Sequence, residues 1–180
     1  GELAVLLDDD AIQMGIDIGL EETALRLSVM SSDWEKRLGL LQEVLTRPRF
    51  DAKVLEAAKE QEAANLARQG EDAQAVAMRE AMIRQYSGHP YGRDPLAALN
   101  TIPAIAREDL ARFVSAYFVP ANMVVAVSGD IRQDQVKQSL GRFLSSLPSG
   151  VPPMREIAAP PAAAAGVALV HKPGQVQSNV

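Results

Sequence analysis

Three carboxylates in one predicted helix are the first residues of this chain that could do chemistry. Glu56, Glu60 and Glu62 lie in a run rich in alanine and charged residues, a composition that favours helix. Glu56 and Glu60 are four residues apart and therefore share a helix face, where a pair of carboxylates could act in acid–base catalysis. The same spacing is typical of a solvated helix face, and we favour that interpretation.

The two histidines, His89 and His171, do not form a pair of metal ligands. Most of the chain separates them, whereas zinc sites built from histidine usually combine two histidines at helical or strand spacing with a carboxylate. Neither H-E-x-x-H nor H-x-x-E-H occurs in the sequence. His89, between Gly88 and Pro90, is predicted to be a turn residue whose imidazole hydrogen-bonds neighbouring backbone.

Other catalytic and binding signatures are missing from the sequence. It contains no cysteine, which excludes thiolate catalysis, disulfides and cysteine-ligated metals. It has no G-x-S-x-G, Walker or G-x-G-x-x-G motif after a predicted strand, which disfavours serine hydrolases, P-loop proteins and dinucleotide-binding enzymes. The net charge of −5 argues against a nucleic-acid partner, and no apolar stretch is long enough to span a membrane.

The hydrophobic pattern predicts a hairpin and a first helix as part of the scaffold for these residues. Apolar residues alternate along Ile12–Ile18 and Leu25–Val29, as in two half-buried antiparallel strands. Ser32 and Glu35 have the spacing of a capping box, and the helix that they begin should end near Pro48. Trp34 is interpreted as a partly buried residue of its first turn.

Four more helices and one more strand are predicted downstream. Asp51 is expected to cap a helix that ends near Gly70, and Glu71 and Asp72 suit the first turn of the next. An irregular loop runs from 88 to about 103, and a fourth helix is closed by Pro120. The apolar run 123–127 predicts a buried strand, and a fifth helix follows at 133–147. The expected fold class is α+β, with an antiparallel or mixed sheet packed against several helices.

A proline-rich segment marks the predicted domain boundary. Residues 148–165 contain five prolines and a run of alanines, a composition typical of a stiff, extended linker. We predict an α+β domain at 1–147, truncated at its N terminus, and the truncated start of a second domain at 166–180. Val167, Leu169 and Val176 would belong to the first strands of that domain, so the chain is expected to be a fragment of a longer protein.

An ordered set of motifs carries a resemblance to a known family. The motifs are His89–Arg93 (HPYGR), Glu108–Leu110 (EDL), Pro120–Met123 (PANM) and Val127–Asp130 (VSGD). This set resembles the pitrilysin/insulinase family of zinc peptidases, the inverted zincins, which includes the mitochondrial processing peptidase and the core subunits of the bc1 complex. Similar segments before and after it extend the resemblance over nearly the whole chain.

The resemblance implies a half-domain of a metallopeptidase, and the position of one zinc ligand decides which half. In this family two homologous halves close around an unfolded peptide, and one half holds zinc through H-x-x-E-H and a glutamate on a later helix. That helix is equivalent to 51–70 here. Counting back from Glu71 and Asp72 places the glutamate near Asn65 or Leu66, neither of which suits zinc. An alignment shifted by one helical turn would bring Glu62 into that place.

The resemblance therefore implies an inactive half with no catalytic residue and no metal ligand of its own. Such a half would form part of the peptide-binding chamber and support a homologous zinc-bearing domain or subunit, which would hold the zinc cofactor. An extended peptide substrate would pair with an exposed strand, and the substrate-binding residues are not identified. His89–Arg93 would then be structural.

Two alternatives remain open. The chain could come from the catalytic half, with Glu62 as the third zinc ligand, or it could be a purely structural subunit like the bc1 core proteins. The composition suits either the bacterial periplasm or the cytoplasm.

Overall fold

A computed structural model describes residues 13–154, 156–160, 162 and 166–171. The described residues form two strands and five α-helices, and short 3₁₀ helices connect several of them. The strands are β1 (Gln13–Ile18) and β2 (Thr23–Ser28); the helices are α1 (Trp34–Thr46), α2 (Ala52–Glu71), α3 (Ala73–Gln85), α4 (Arg107–Tyr117) and α5 (Gln133–Ser146). The α+β class expected from the sequence is confirmed.

The chain divides into two compact units. The first contains the described residues up to Arg49 together with Ala111–Pro153, and the second contains Phe50–Leu110 and the described residues from Met154 onward. The first unit therefore holds the hairpin, α1 and α5, and the second holds α2 and α3. Among the described helices, none has the combination of length and hydropathy that a membrane-spanning segment requires.

The hairpin in the first unit matches the prediction. β1 and β2 pair antiparallel with Ile16 opposite Leu25, and the Gly19 N–H donates to the Glu22 carbonyl oxygen at 2.8 Å to close the turn. Leu25 packs against the apolar core of this unit. Ile16 and Ile18 remain 58% and 82% exposed, so the core covers only part of the apolar face of the hairpin.

Helices α1 and α5 form the core of the first unit. Leu38 and Leu45 lie two turns apart on α1, and Phe143 on α5 and Leu147 just after it meet them in one buried cluster. Apolar residues at such spacings line one helix face. The apolar residues whose spacing predicted the two helices are therefore among the residues that pack them together.

The start of α1 differs from the predicted capping box. Ser32 lies inside a 3₁₀ helix, Ser31–Asp33, so the N-cap is Asp33, whose side chain makes no capping hydrogen bond with a described residue. The extra turn shifts the helix start by one residue, and Ser32 and Glu35 lose the relation that a capping box needs. Glu35 instead binds residues of α5.

The second unit depends on capping residues at its helix ends. Asp51 Oδ1 accepts from the backbone N–H groups of Lys53 at 2.9 Å and Val54 at 3.2 Å, as predicted for the start of α2. Asp72 separates α2 from α3. In this unit, the described apolar residues that are buried are Leu66 and Ile102.

The connection after α3 is more regular than the predicted loop. It contains the 3₁₀ helices Pro90–Gly92, Pro95–Asn100 and Ile102–Ala104. Proline at the first or second position of each helix has no N–H to leave unpaired there. The prolines that predicted a break in the helical pattern thus begin short 3₁₀ turns.

Two predicted strands are wrong for the part of the chain that the structure describes. Residues 123–127 and 166–171 form neither helix nor strand, and Val124, Val167 and Leu169 are 93% exposed or more. A strand needs a hydrogen-bonded neighbour, and the ladder found among the described residues is β1 with β2. Val176 lies outside the described residues, and the predicted domain division at 148–165 stays a prediction.

Candidate functional site

The histidine of the HPYGR segment is a capping residue of a turn. His89 Nδ1 accepts a hydrogen bond from the Tyr91 N–H at 3.2 Å, and the His89 N–H donates to the Tyr86 carbonyl oxygen at 2.9 Å. Gly88 precedes it at φ +79°, a conformation that glycine adopts at little cost. The predicted role of His89 as a turn residue bonded to neighbouring backbone is confirmed.

Three half-buried rings pack together in this turn. The His89 and Tyr91 ring centroids lie 4.5 Å apart, and Tyr86 lies 5.5 Å from Tyr91 and 6.0 Å from His89. Edge contacts between rings at such distances are favourable. Since Nδ1 already accepts a backbone hydrogen bond, this lone pair of His89 is not available to a metal.

Gly92 is the position in this turn where only glycine fits. A Cβ at Gly92 would lie 2.2 Å from the Tyr86 carbonyl oxygen and 2.7 Å from its carbonyl carbon, well inside van der Waals contact. The chain passes so close to the end of α3 that the turn excludes any side chain at this position. Gly92 of the HPYGR segment is therefore needed for the conformation of the backbone in this turn.

An arginine on α3 connects that helix with the same loop. Arg79 lies 2.9 Å from the Glu80 carboxylate and 3.8 Å from that of Asp94, and Asp94 Oδ1 accepts from the Leu96 N–H at 2.9 Å. Asp94 thereby caps one of the 3₁₀ helices and faces a cation. These contacts stabilise the loop and bring no nucleophile or proton donor together with a base.

The carboxylates of α2 face solvent, as predicted. Glu60 and Glu62 are exposed, and Glu56 accepts from Lys59 Nζ at 2.8 Å while it remains 66% exposed. Lys59 Nζ also lies 3.4 Å from the Pro103 carbonyl oxygen. The arrangement is a solvated ion pair on a helix surface, which contributes little to stability.

Asn65 and Leu66, where the resemblance places a zinc-binding glutamate, have other roles in α2. Asn65 Oδ1 accepts from Gln61 Nε2 at 3.0 Å and from the Arg68 guanidinium, and Leu66 is an apolar residue only 5% exposed. Within the described ranges, no group of three histidine, cysteine, aspartate or glutamate side chains is placed to hold a metal ion. The assignment of Glu62 as a ligand in the catalytic alternative stays a prediction.

The remaining candidate residues have structural positions. Asp72 caps α3, since its Oδ1 accepts from the Ala75 N–H at 2.7 Å, and Glu71 is the exposed last residue of α2. Trp34 is half-buried in the first turn of α1 and packs against the apolar core. His171 is exposed. The structure thus does not gather the sequence candidates into one site.

The sequence reasoning missed a polar cluster in the first unit. Glu35 Oε1 on α1 accepts from Ser139 Oγ and from the Arg142 guanidinium on α5, both at 2.8 Å. Ser139 is 3% exposed, so its hydroxyl needs this partner. More than a hundred residues separate the partners, and no local pattern could have indicated the pair.

An exposed ion pair at the start of α5 shifts the pKa values of both of its partners. Arg132 Nε and Nη2 bind both carboxylate oxygens of Asp134, at 3.1 and 2.7 Å. The hydrogen bond from Arg132 lowers the pKa of Asp134 below its usual value, and the same bond raises the pKa of Arg132. This pair lies at the surface, at the first turn of a helix.

Comparison with known proteins gives this structure a family context. A family profile described as "Peptidase M16 inactive domain" matches residues 104–180. The non-peptidase homolog YmxG of Helicobacter pylori is 26% identical over 82% of this chain and 34% of its own length. An uncharacterized zinc protease of Mycobacterium leprae is 23% identical over 86% of this chain and 36% of its own length.

A third curated relative is a probable mitochondrial-processing peptidase subunit beta of Arabidopsis thaliana. It is 20% identical over 72% of this chain and 24% of its own length. The chain therefore spans between 24% and 36% of the length of these relatives.

Solved structures share the fold. A crystal structure of a peptidase M16 inactive domain from Pseudomonas fluorescens superposes with a TM-score of 0.78 at 26% identity, covering 88% of this chain and 39% of that one. A protease from Helicobacter pylori has the same fold, with a TM-score of 0.73 at 19% identity over 89% of this chain and 38% of that one. These similarities confirm the resemblance that the motifs indicated, and they agree with an inactive, non-metal-binding half.

Proposed function

Because the chain is similar to peptidase M16 inactive domains, we propose that it is a non-catalytic part of a pitrilysin-type zinc peptidase. The observation that carries the proposal lies on α2. Where the resemblance places a zinc-binding glutamate, Asn65 is hydrogen-bonded to its own helix and Leu66 is buried. Neither side chain offers zinc the charged ligand it would need there.

The partner in this proposal is a homologous zinc-bearing domain or subunit. Two curated relatives carry names of a zinc protease and of a processing-peptidase subunit, which supports an assembly in which one member holds the metal. Zinc would polarise the scissile carbonyl and activate water in that partner. This chain would contribute wall and sheet edge to the chamber in which the peptide binds.

An extended peptide is the proposed ligand of the assembly. β1 belongs to a two-stranded sheet, so one of its edges has no hydrogen-bonded strand among the described residues. Its apolar face is partly open, with Ile16 and Ile18 exposed. Main-chain pairing with such an edge binds an extended peptide with little dependence on sequence.

Zinc content tests the assignment to the inactive half. The protein that the whole gene encodes is the sample, because the H-x-x-E-H of a catalytic half would lie outside these 180 residues. Purified without chelator and then equilibrated with a small excess of zinc and desalted, it is expected to retain no zinc that depends on Glu62, by elemental analysis. Glu62→Ala and Glu60→Ala, two exposed positions on α2, provide the matched pair. Retention of about one zinc per chain that Glu62→Ala abolishes and Glu60→Ala does not would overturn the proposal in favour of the catalytic half.

Reconstitution tests the supporting role. The chain is mixed with a zinc-bearing M16 protein from the same organism and a quenched peptide, and cleavage is followed by fluorescence. We expect cleavage to depend on both components. Stable assembly without cleavage would favour the purely structural alternative, and absence of assembly would contradict both.

A further inference from the structure

The hydrogen bond that His89 accepts in its turn can form only while the imidazole is neutral. Nδ1 accepts from the Tyr91 N–H at 3.2 Å and so caps the 3₁₀ helix Pro90–Gly92, an arrangement that requires the proton of the neutral ring to be on Nε2. In a protonated imidazole both nitrogens are donors. No rotation of a protonated ring therefore restores the acceptor that the Tyr91 N–H needs.

The immediate surroundings of His89 offer a positive charge no compensation. The ring is half-buried and lies beside the rings of Tyr86 and Tyr91, which supply no carboxylate. None of the carboxylates in the part of the chain that the structure describes forms an ion pair with the imidazole. A proton on His89 would thus remove one hydrogen bond and gain no ionic partner in the closed turn.

The charged residues of the neighbouring elements are paired with one another. The 3₁₀ helix packs against α3, where Glu80 lies 2.9 Å from Arg79 and 3.8 Å from Arg84. Arg93 and Asp94 follow the turn, and Asp94 lies 3.8 Å from Arg79. Since these three arginines outnumber the two carboxylates, the neighbouring charges do not favour a further positive charge in the turn.

The closed turn leaves little room for adjustment when the hydrogen bond is lost. A Cβ on Gly92 would lie 2.2 Å from the Tyr86 carbonyl oxygen, so the chain passes the end of α3 at close contact. The His89 N–H donates to the same oxygen at 2.9 Å. A half-buried N–H without an acceptor is costly, and the tight backbone cannot move the Tyr91 N–H to a new partner without opening the turn.

We propose that the HPYGR turn is a pH-sensitive switch, closed while His89 is neutral and open when His89 is protonated. Among the side chains of the 180 residues, only His89 and His171 belong to the type that ordinarily takes up a proton between pH 7.5 and 5.5. The stabilisation of the closed turn is complete above the range in which an imidazole titrates, and it is lost as the pH falls through that range. The next 3₁₀ helix, Pro95–Asn100, packs on α2, so acid would loosen one attachment of this loop to the second unit.

Hydrogen exchange measured by mass spectrometry on the protein that the whole gene encodes tests the switch. Peptides that contain the Tyr91 and Gly92 amides should lose protection about tenfold between pH 7.5 and pH 5.5, after correction for the intrinsic effect of pH on exchange. This factor is expected because a solvated imidazole titrates near pH 6.5, so acid favours the open turn by about that much. The Leu96 amide is the internal control, because its acceptor is the side chain of Asp94 and not a histidine. Equal protection of the turn at both pH values would overturn the proposal.

Two substitutions separate His89 from other causes of a pH response. His89→Asn keeps a side-chain oxygen that can accept from the same N–H and does not titrate, so its turn should be equally protected at both pH values. His171→Asn, at the exposed second histidine, is the matched control and should retain the tenfold response. A response that persists in His89→Asn, or that disappears in His171→Asn, would contradict the assignment of the switch to His89.

Discussion

The first unit is stabilised mainly by an apolar cluster, whereas the second is stabilised mainly by polar groups at its helix ends. In the first unit, four buried residues of α1 and of α5 with its C-cap form one cluster, surrounded by partly buried neighbours. In the second, the described apolar residues that are buried are Leu66 and Ile102. Aspartate or histidine side chains instead cap α2, α3 and two of the 3₁₀ helices.

The difference shows what each kind of sequence signal can specify. An apolar stripe determines which helix faces meet, and the free energy it contributes scales with the area it buries. A capping residue determines where a helix begins, and each one contributes about 1 kcal/mol. We therefore expect single substitutions to have larger effects in the apolar cluster than at the caps.

The largest expected effect is that of Phe143→Ala. Phe143 is 4% exposed in the cluster, and its removal leaves a cavity that should lower the free energy of unfolding by about 3–5 kcal/mol. Chemical denaturation measures the loss. Phe113→Ala is the control, because Phe113 is 53% exposed and should cost about 1 kcal/mol or less. Similar losses for the two variants would contradict the central role of the cluster.

Gly92→Ala in the second unit should be an exception to this comparison, because its expected effect exceeds that of losing one helix cap. The added Cβ would lie 2.2 Å from a backbone oxygen, so the turn must shift, at a cost of about 1–3 kcal/mol. Gly141→Ala is the opposite case, because no heavy atom lies within 4 Å of its Cβ position in α5 and alanine favours a helix interior by about 0.5–1 kcal/mol. Thermal unfolding of both variants should therefore give shifts of opposite sign, and a neutral Gly92→Ala would show that the turn is not constrained.

A smaller effect is expected at the cap of α3. Asp72→Ala removes the acceptor for the Ala75 N–H and should lower the free energy of unfolding by about 1 kcal/mol. Asp72→Asn retains a side-chain oxygen and should lie close to the original protein in the same denaturation experiment. If both variants were equally unstable, the charge of Asp72 and not its hydrogen bond would be responsible.

The smallest effect concerns the exposed pair at the start of α5. Because Arg132 lowers the pKa of Asp134, the carboxylate should titrate below its usual range in an NMR pH titration, and Arg132→Gln should return it to that range. The folded-state pKa is the lower one, so the contribution to stability is present above the usual aspartate pKa and is lost as the pH falls through the lowered value. Lys137→Gln, on the same helix, should leave the titration of Asp134 unchanged.

Local patterns predicted most of the helices and the hairpin, because period and caps are properties of short segments. Asp51 caps α2 as expected. The two segments of alternating apolar residues pair as antiparallel strands, with Ile16 opposite Leu25. The prediction of a capping box at Ser32 and Glu35 was wrong because the partners of Glu35 are not local. Glu35 binds Ser139 and Arg142 on α5, and a local rule does not include partners that distant in the sequence.

The candidate site shows the same limit. The turn at His89 and the solvated carboxylates of α2 could be predicted, because both follow from neighbouring residues. The strand predicted at Met123–Val127 depended on a neighbour that the pattern itself does not contain. The position equivalent to the family's zinc-binding glutamate could be identified only through the resemblance. In an isolated helix, Asn65 and Leu66 give no indication of a lost metal site.

The junction between α2 and α3 has a consequence for how this chain can vary in length. Asp72 donates its N–H to the Arg68 carbonyl oxygen, which ends α2, while its side chain begins α3. One residue therefore performs both tasks, and there is no spacer to absorb an insertion or a deletion. An added residue that extended either helix would rotate the rest by about 100° around the axis and turn its packed face away. Among homologues, we expect length changes to avoid this junction and to accumulate elsewhere.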